Sequence, residues 1–176
     1  ERIRNGIPSS VRSLESLQFE YPTAADDSER VRMFLRDAHQ HWGTRWVLLG
    51  GDTDILPPRN ASVRDILGDR SFVSDWYYAC LDGTWDADGD GRYGEPFDPS
   101  TGDPGDAPDL VPELFVGRAP VSDHHEARGF VRKTLTYEQH GDDSFEHSTL
   151  LFANRLAFFF VLTASDTRGE ADDKSG

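Results

Sequence analysis

Oxygen donors crowd one short stretch of this chain. Asp86-Ala87-Asp88-Gly89-Asp90-Gly91 places a carboxylate at every second position and then a glycine. This is the spacing with which the opening half of an EF-hand-type loop turns sharply and brings alternate side chains to one point. A hard divalent cation such as calcium needs that density of oxygen. The next ligand in such a loop is a backbone carbonyl, here that of Arg92, so the side chain at that position is immaterial. The twelfth position, where a bidentate carboxylate should close the shell, is Phe97 instead. Glu95 lies two residues early and Asp98 one late, and either is a candidate to close it. The competing reading is a solvated acidic turn, since Asp and Gly are also plain turn residues. Five like charges from Asp82 to Glu95 repel one another unless a cation screens them, which favours calcium in a structural role.

Nucleophilic chemistry has a weaker footing. Cys80 is the single cysteine, and it sits in Trp76-Tyr77-Tyr78-Ala79-Cys80-Leu81, where small apolar side chains pack and no basic neighbour lowers a thiol pKa. His124 and His125 are adjacent on an expected helix and face apart, a poor arrangement for a metal. His39 and His41 fall at a helix end, where a capping role is expected. Asp52, Asp54, Ser74 and Asp75 fall at chain reversals, where they either cap loops or meet a ligand, capping being the favoured reading. Arg118, amid many carboxylates, is the natural ion-pair partner for one of them.

The elements that must position these groups are organised around Trp46 to Arg59, WVLLGGDTDILPPR. Its unbroken apolar run reads as a parallel strand buried on both faces, with Gly50-Gly51-Asp52 at its carboxyl end. Before it, Asp26 and Glu29 read as a capping box, with Val31, Phe34, Leu35, Ala38 and Trp42 at helical spacing and Gly43 as the stop. Val11 to Leu17 is expected to supply one strand, giving a right-handed strand-helix-strand unit. Residues 59 to 72 read as one short helix around Val63, Ile66 and Leu67. Phe72 to Leu81 reads as an aromatic strand. Residues 82 to 109, with nine carboxylates against one Arg, are a loop. Leu114 to Arg118 is a second buried strand, and Ser122 signals a helix with Ala127, Phe130, Val131, Thr134 and Leu135 on one face. A third strand is expected at Thr149 to Phe152, and there is no internal repeat.

At 36% hydrophobic and 11% aromatic residues over 176 positions, the chain has the means to bury a core. Its formal net charge of -14 argues against nucleic-acid binding, which needs a basic footprint, and fits cation binding or plain solubility. One Cys excludes an internal disulfide without assigning a compartment. The chain opens at Glu1 with no basic leader and apolar run, so no signal peptide is visible and it reads as a piece of a longer protein. Leu156 to Leu162 is the longest apolar run, far short of the roughly 20 residues that span a bilayer, and no membrane segment is expected.

The ordered set DDSERVRMFLRDAHQHW (26 to 42), WVLLGGDTDILPPR (46 to 59), SDWYYACLDG (74 to 83), DADGDGRYGE (86 to 95), PDLVPELFVGRAPV (108 to 121) and KTLTYE (133 to 138) resembles the first subdomain of the gingipain-type cysteine peptidases. The resemblance implies an α/β fold of the caspase-like clan, a three-layer sandwich with a short, mainly parallel sheet and an inserted acidic calcium loop. It implies a polypeptide substrate, and a second, catalytic subdomain that carries the His-Cys dyad. Neither dyad member has a match here, because His140-Gly141 lies at a helix end and Cys80 lies far upstream. The expectation is therefore a non-catalytic first subdomain over residues 1–153, with 154–176 a truncated or altered tail. The parent is expected to be a calcium-stabilised cysteine endopeptidase, extracellular or at the cell surface. The alternative is a catalytically silent, calcium-binding surface or scaffold module. The ligand set expected for calcium is Asp86, Asp88, Asp90, the Arg92 carbonyl, and Glu95 or Asp98.

Overall fold

The structure is a computed structural model that describes residue 6, residues 8–65 and residues 68–139. The chain divides into two units, Glu1–Lys133 and Thr134–Gly176, and of the second only residues 134–139 are described. In order, the elements are α1 (Leu14–Glu20), α2 (Asp27–Trp42), β1 (Trp46–Gly50), β2 (Arg59–Asp65), β3 (Gly68–Ser74), α3 (Trp76–Ala79), β4 (Gly83–Thr84), β5 (Ala107–Pro108), β6 (Phe115–Ala119) and α4 (His124–Gln139). The mixture of helix and strand is that of an α/β protein. Among the described residues the strands form three two-stranded sheets: β1 with β6 in parallel, β2 with β3 antiparallel, and β4 with β5 antiparallel. The expected third strand at Thr149 to Phe152, the boundary at residue 153 and the tail lie outside the described residues.

Helix α2 is built as its sequence dictates. The Asp26 carboxylate accepts the Glu29 N–H at 2.8 Å, and Glu29 reaches back to the Ala25 N–H at 2.6 Å, so two of the donors orphaned at a helix start are satisfied. Gly43 ends it at φ 67°, a left-handed conformation that glycine adopts without penalty, and its N–H returns to the His39 carbonyl. The face thus aimed inward buries Val31, Leu35 and Ala38. These join Leu17, Leu49, Leu56, Tyr77, Tyr78, Cys80, Leu81, Trp85 and Leu114 in the core.

The parallel strands fall where the sequence placed them, with Trp46 opposite Phe115 and Gly50 opposite Ala119. The burial of β1 differs. Leu49 is buried, but Trp46 and Leu48 on the other face are 75% and 64% exposed, and Trp46 stacks on Phe115 with ring centroids 4.4 Å apart. An apolar run without alternation shows that both faces tolerate burial; it does not supply the layer that covers the second face.

Three other expectations are corrected. Val11 to Leu17 yields no strand: Ser13 accepts the Ser16 N–H and starts α1 instead, so no strand-helix-strand unit precedes β1 among the described residues. Residues 59 to 72 form a hairpin in place of a helix, its register running from Arg59 opposite Ser74 to Asp65 opposite Gly68, with Ala61 turned inward and Val63 left exposed. The aromatic stretch leaves the strand at Ser74, whose hydroxyl accepts the Trp76 N–H, and makes a helical turn closed by Cys80 N–H to the Trp76 carbonyl at 2.9 Å. What overrides the β-propensity of Tyr77 and Tyr78 is Arg32 on α2. Its buried guanidinium collects the carbonyls of Tyr77, Cys80, Leu81 and Asp82, which a continuing strand could not present together.

Asp26 also holds Arg59 at the start of β2, through contacts of 2.6 and 2.8 Å. That hydrogen bond outweighs burial and keeps the Asp26 carboxyl below its ordinary value of 3.8. Replacing Asp26→Ala removes a cap and strands a buried guanidinium, and should cost about 2 kcal/mol in denaturant unfolding, the pair being discounted because Asp26 is partly in solvent. Asp26→Asn keeps the cap and should lose less. Because the folded pKa is depressed, this stabilisation is fully present above the ordinary carboxylate pKa and is lost as pH falls through the lowered one. Stability measured in that acid range should therefore flatten with pH in Asp26→Asn.

Candidate metal centre in the acidic loop

The acidic loop is anchored by its aromatic residues. Trp85 is buried edge-on to Tyr77 at 5.5 Å between centroids, and the Arg59 guanidinium lies 4.0 Å from the Tyr93 ring and 4.6 Å from the Tyr77 ring, the two rings being edge to face with one another. Tyr93 also gives its carbonyl to the Ser62 N–H of β2 at 2.7 Å. Gly94 passes so close to Trp85 that a Cβ there would sit 3.2 Å from the indole, and its φ of 73° again favours glycine. β4 and β5 clasp the two ends of the loop, with Gly83 opposite Pro108.

This anchoring gathers four of the predicted ligand residues. One carboxylate oxygen each of Asp86, Asp88 and Asp106 lies within 4.8 Å of the others, as does one each of Asp88, Asp90 and Glu95, so that Asp88 is shared by both groups. Asp88 accepts the Asp90 N–H and Asp90 accepts the Arg92 N–H, at 3.1 and 2.7 Å, the local turns that a D-x-D-x-D run makes. One oxygen of Asp86 is buried with no hydrogen-bond partner. Glu95 is only 7% exposed; burial pushes its carboxyl up, the negative charges of Asp90, Asp88 and Asp106 add to that, and the ion pair with Arg92 opposes it.

Asp98 is placed elsewhere. It accepts both the N–H and the hydroxyl of Ser100, at 2.8 and 2.7 Å, pairs with Arg64 at 2.9 Å, and is held well below the usual carboxylate range, chiefly by Ser100. The further carboxylate that lies with Asp86 and Asp88 is Asp106, which sequence spacing did not single out. Asp106 accepts the N–H groups of Ala87, Gly94 and Glu95, and the clasp of β4 on β5 is what brings it in. In a third group, Asp82, Asp109 and Glu113, one carboxylate oxygen each also lies within 4.8 Å of the others, and Glu113 accepts the Leu81 N–H.

At the carboxyl end of β1 and β6, Arg118 ion-pairs with Asp75 at 2.6 Å and donates to the carbonyls of Gly51 and Leu56 at 2.8 and 2.9 Å. Asp52 and Ser74 accept the N–H groups of Thr53 and Trp76, so these residues serve the loops as capping groups. His39 and His41 meet the carbonyls of Thr44 and Asp37. Cys80 is fully buried; that burial, with the charges of Glu113 and Asp109 behind it, pushes its thiol up to about 11. A thiol so placed is a packing group. No helix among the described residues is long and apolar enough to cross a membrane.

The family model described as Peptidase family C25 matches residues 2–174. Neither the curated proteins nor the solved structures yield a match.

The inert thiol can be checked directly. An uncharged alkylating reagent at pH 8 should leave Cys80 unmodified in the folded chain and label it fully in denaturant, by mass spectrometry; rapid labelling of the native protein would contradict the burial.

Proposed function

The chain belongs to peptidase family C25, the gingipain family, and from that premise we propose that it is the non-catalytic first subdomain, residues 1–153, of a calcium-stabilised cysteine endopeptidase. The chain is a cysteine-peptidase region by family, and polypeptides are the substrates the family implies. The observation that carries the proposal is Cys80: the one thiol is buried and held protonated, which is the opposite of what a nucleophile needs. The attacking thiolate and its histidine then belong to a second subdomain of the three-layer caspase-like sandwich. There the thiolate would add to the peptide carbonyl, histidine would move the proton to the leaving amine, and backbone N–H groups would hold the oxyanion. This chain's part is to supply the supporting half of the sheet. An extracellular or cell-surface setting, where millimolar-range calcium sites are useful, accords with this reading.

For calcium, the donor set is all hard oxygen, and the buried, unpartnered oxygen of Asp86 is the kind of group a cation satisfies. Asp86, Asp88, Asp90, Glu95 and, in place of Asp98, Asp106 are the residues that would hold the ion. Its contribution there would be charge neutralisation and loop stiffening, with no part in bond cleavage. A catalytically silent calcium-binding module is the second reading, favoured by the same buried thiol. A His-Gly turn and a later Cys in the coding sequence beyond this region would decide for the peptidase.

Two measurements test the proposal. The chain by itself should give no turnover of a mixed peptide library; turnover that vanishes in Cys80→Ala would overturn the assignment. Calcium at one hundred times its Kd should add about 2.7 kcal/mol to stability and raise Tm by roughly 5–10 °C. Asp88→Ala with Asp90→Ala should abolish that rise, and an unchanged response would place the ion elsewhere.

A further inference from the structure

We propose, on the calcium reading above, that Arg92 is a tethered counter-cation of the acidic loop: it holds Glu95 while no ion is bound, yields that carboxylate when calcium enters, and so sets how tightly the loop takes the metal. Arg92 is the one basic residue from Asp82 to Asp109, against nine carboxylates. Its guanidinium forms an ion pair with Glu95, three residues on. Among the described residues, Glu95 is the one carboxylate of the five assigned to the ion that is paired with a cation.

Burial explains why the pair forms. The Glu95 side chain is only 9% exposed, and one of its oxygens lies within 4.8 Å of one each of Asp88 and Asp90. A carboxylate out of water beside two others is costly unless a positive charge meets it, and Arg92 is the charge that the loop itself supplies. The backbone keeps it there: the Arg92 N–H donates to Asp90 at 2.7 Å and the Glu95 N–H to Asp106 at 3.1 Å, so both ends of the short turn that joins the pair are fixed.

The two members of the pair differ, and the difference makes it reversible. Glu95 is set inside the loop, whereas the Arg92 side chain is 52% exposed and can return its charge to water. A divalent cation that draws on Glu95 together with Asp88 and Asp90 carries the larger charge, and two cations on one carboxylate repel. Calcium therefore displaces the guanidinium, and the affinity of the site is lowered by the loss of that pair. The Arg92 carbonyl, which is the expected ligand, belongs to the backbone and stays in place when the side chain lets go.

The test uses the full chain, stripped of metal with a chelator and titrated with calcium chloride by calorimetry, unsubstituted and as Arg92→Gln. Removing the counter-cation should tighten the calcium Kd roughly two- to fivefold. In chelator Arg92→Gln should melt below the unsubstituted chain, because Glu95 is left unpaired, and the gap should close in saturating calcium. A residue that merely stiffened the loop would lower both melts and weaken binding, which would overturn the proposal. In a Glu95→Gln background, Arg92→Gln should lose its effect on Kd. Equal binding by Arg92→Gln, or a gain that persists without Glu95, would overturn the counter-cation and leave the calcium site standing; calcium binding by neither protein would overturn both. Side-chain NMR of the unsubstituted chain needs no variant: the Arg92 guanidinium signals should shift in step with calcium occupancy, and signals that stay fixed while calcium binds would also overturn the proposal.

Discussion

The described part of the molecule depends on how one buried cation is accommodated. Arg59 is 8% exposed, and a guanidinium out of water is costly unless its charge is met. Asp26 meets it through two hydrogen bonds, and the rings of Tyr77 and Tyr93, set edge to face with one another, both lie against it. Those four residues belong to the start of α2, the start of β2, α3 and the acidic loop. A single desolvated charge therefore fixes four segments that share no continuous sheet. Burial lowers and these partners raise the Arg59 pKa, with the net shift upward.

Arg32 solves the same problem differently. Burial pulls its pKa down, and among the described residues its hydrogen-bond partners are a fan of carbonyl oxygens with no carboxylate. Carbonyl groups carry only partial charge, so this arginine does less to stabilise its own ionisation and more to impose a backbone shape: the turn from Tyr77 to Asp82 exists because four carbonyls must converge.

What was legible in the sequence follows from these two cases. Periodicity and caps, which are local, placed α2 from Asp26 to Gly43 and the strands β1 and β6; the parallel pairing of those two strands is a finding of the structure. The run at 72 to 81 misled because its propensity is that of a strand, while its conformation is set by Arg32, about 45 residues away in sequence. The hairpin at 59 to 74 was hidden by its polar composition, since the residues its first strand buries are Arg59 and Ala61, only one of them apolar. In the acidic loop, the alternating run Asp86, Asp88, Asp90 announced a convergence of oxygens, and Glu95 was reachable by spacing. Asp106 was not, because its place is decided by a clasp between β4 and β5 that leaves only a two-residue trace in each strand. Asp98 looked equivalent in register but is consumed by its own turn with Ser100.

The aromatic anchoring of the loop has a spectroscopic consequence. Of the four tryptophans, Trp42, Trp46 and Trp76 are 56%, 75% and 46% exposed, whereas Trp85 is 5% exposed beneath Gly94. A collisional quencher dissolved in water reaches the first three and is kept from the fourth. The residual emission under saturating quencher then belongs to the one indole lying under the carboxylate cluster, so that the chain carries its own optical probe of whether that loop is closed.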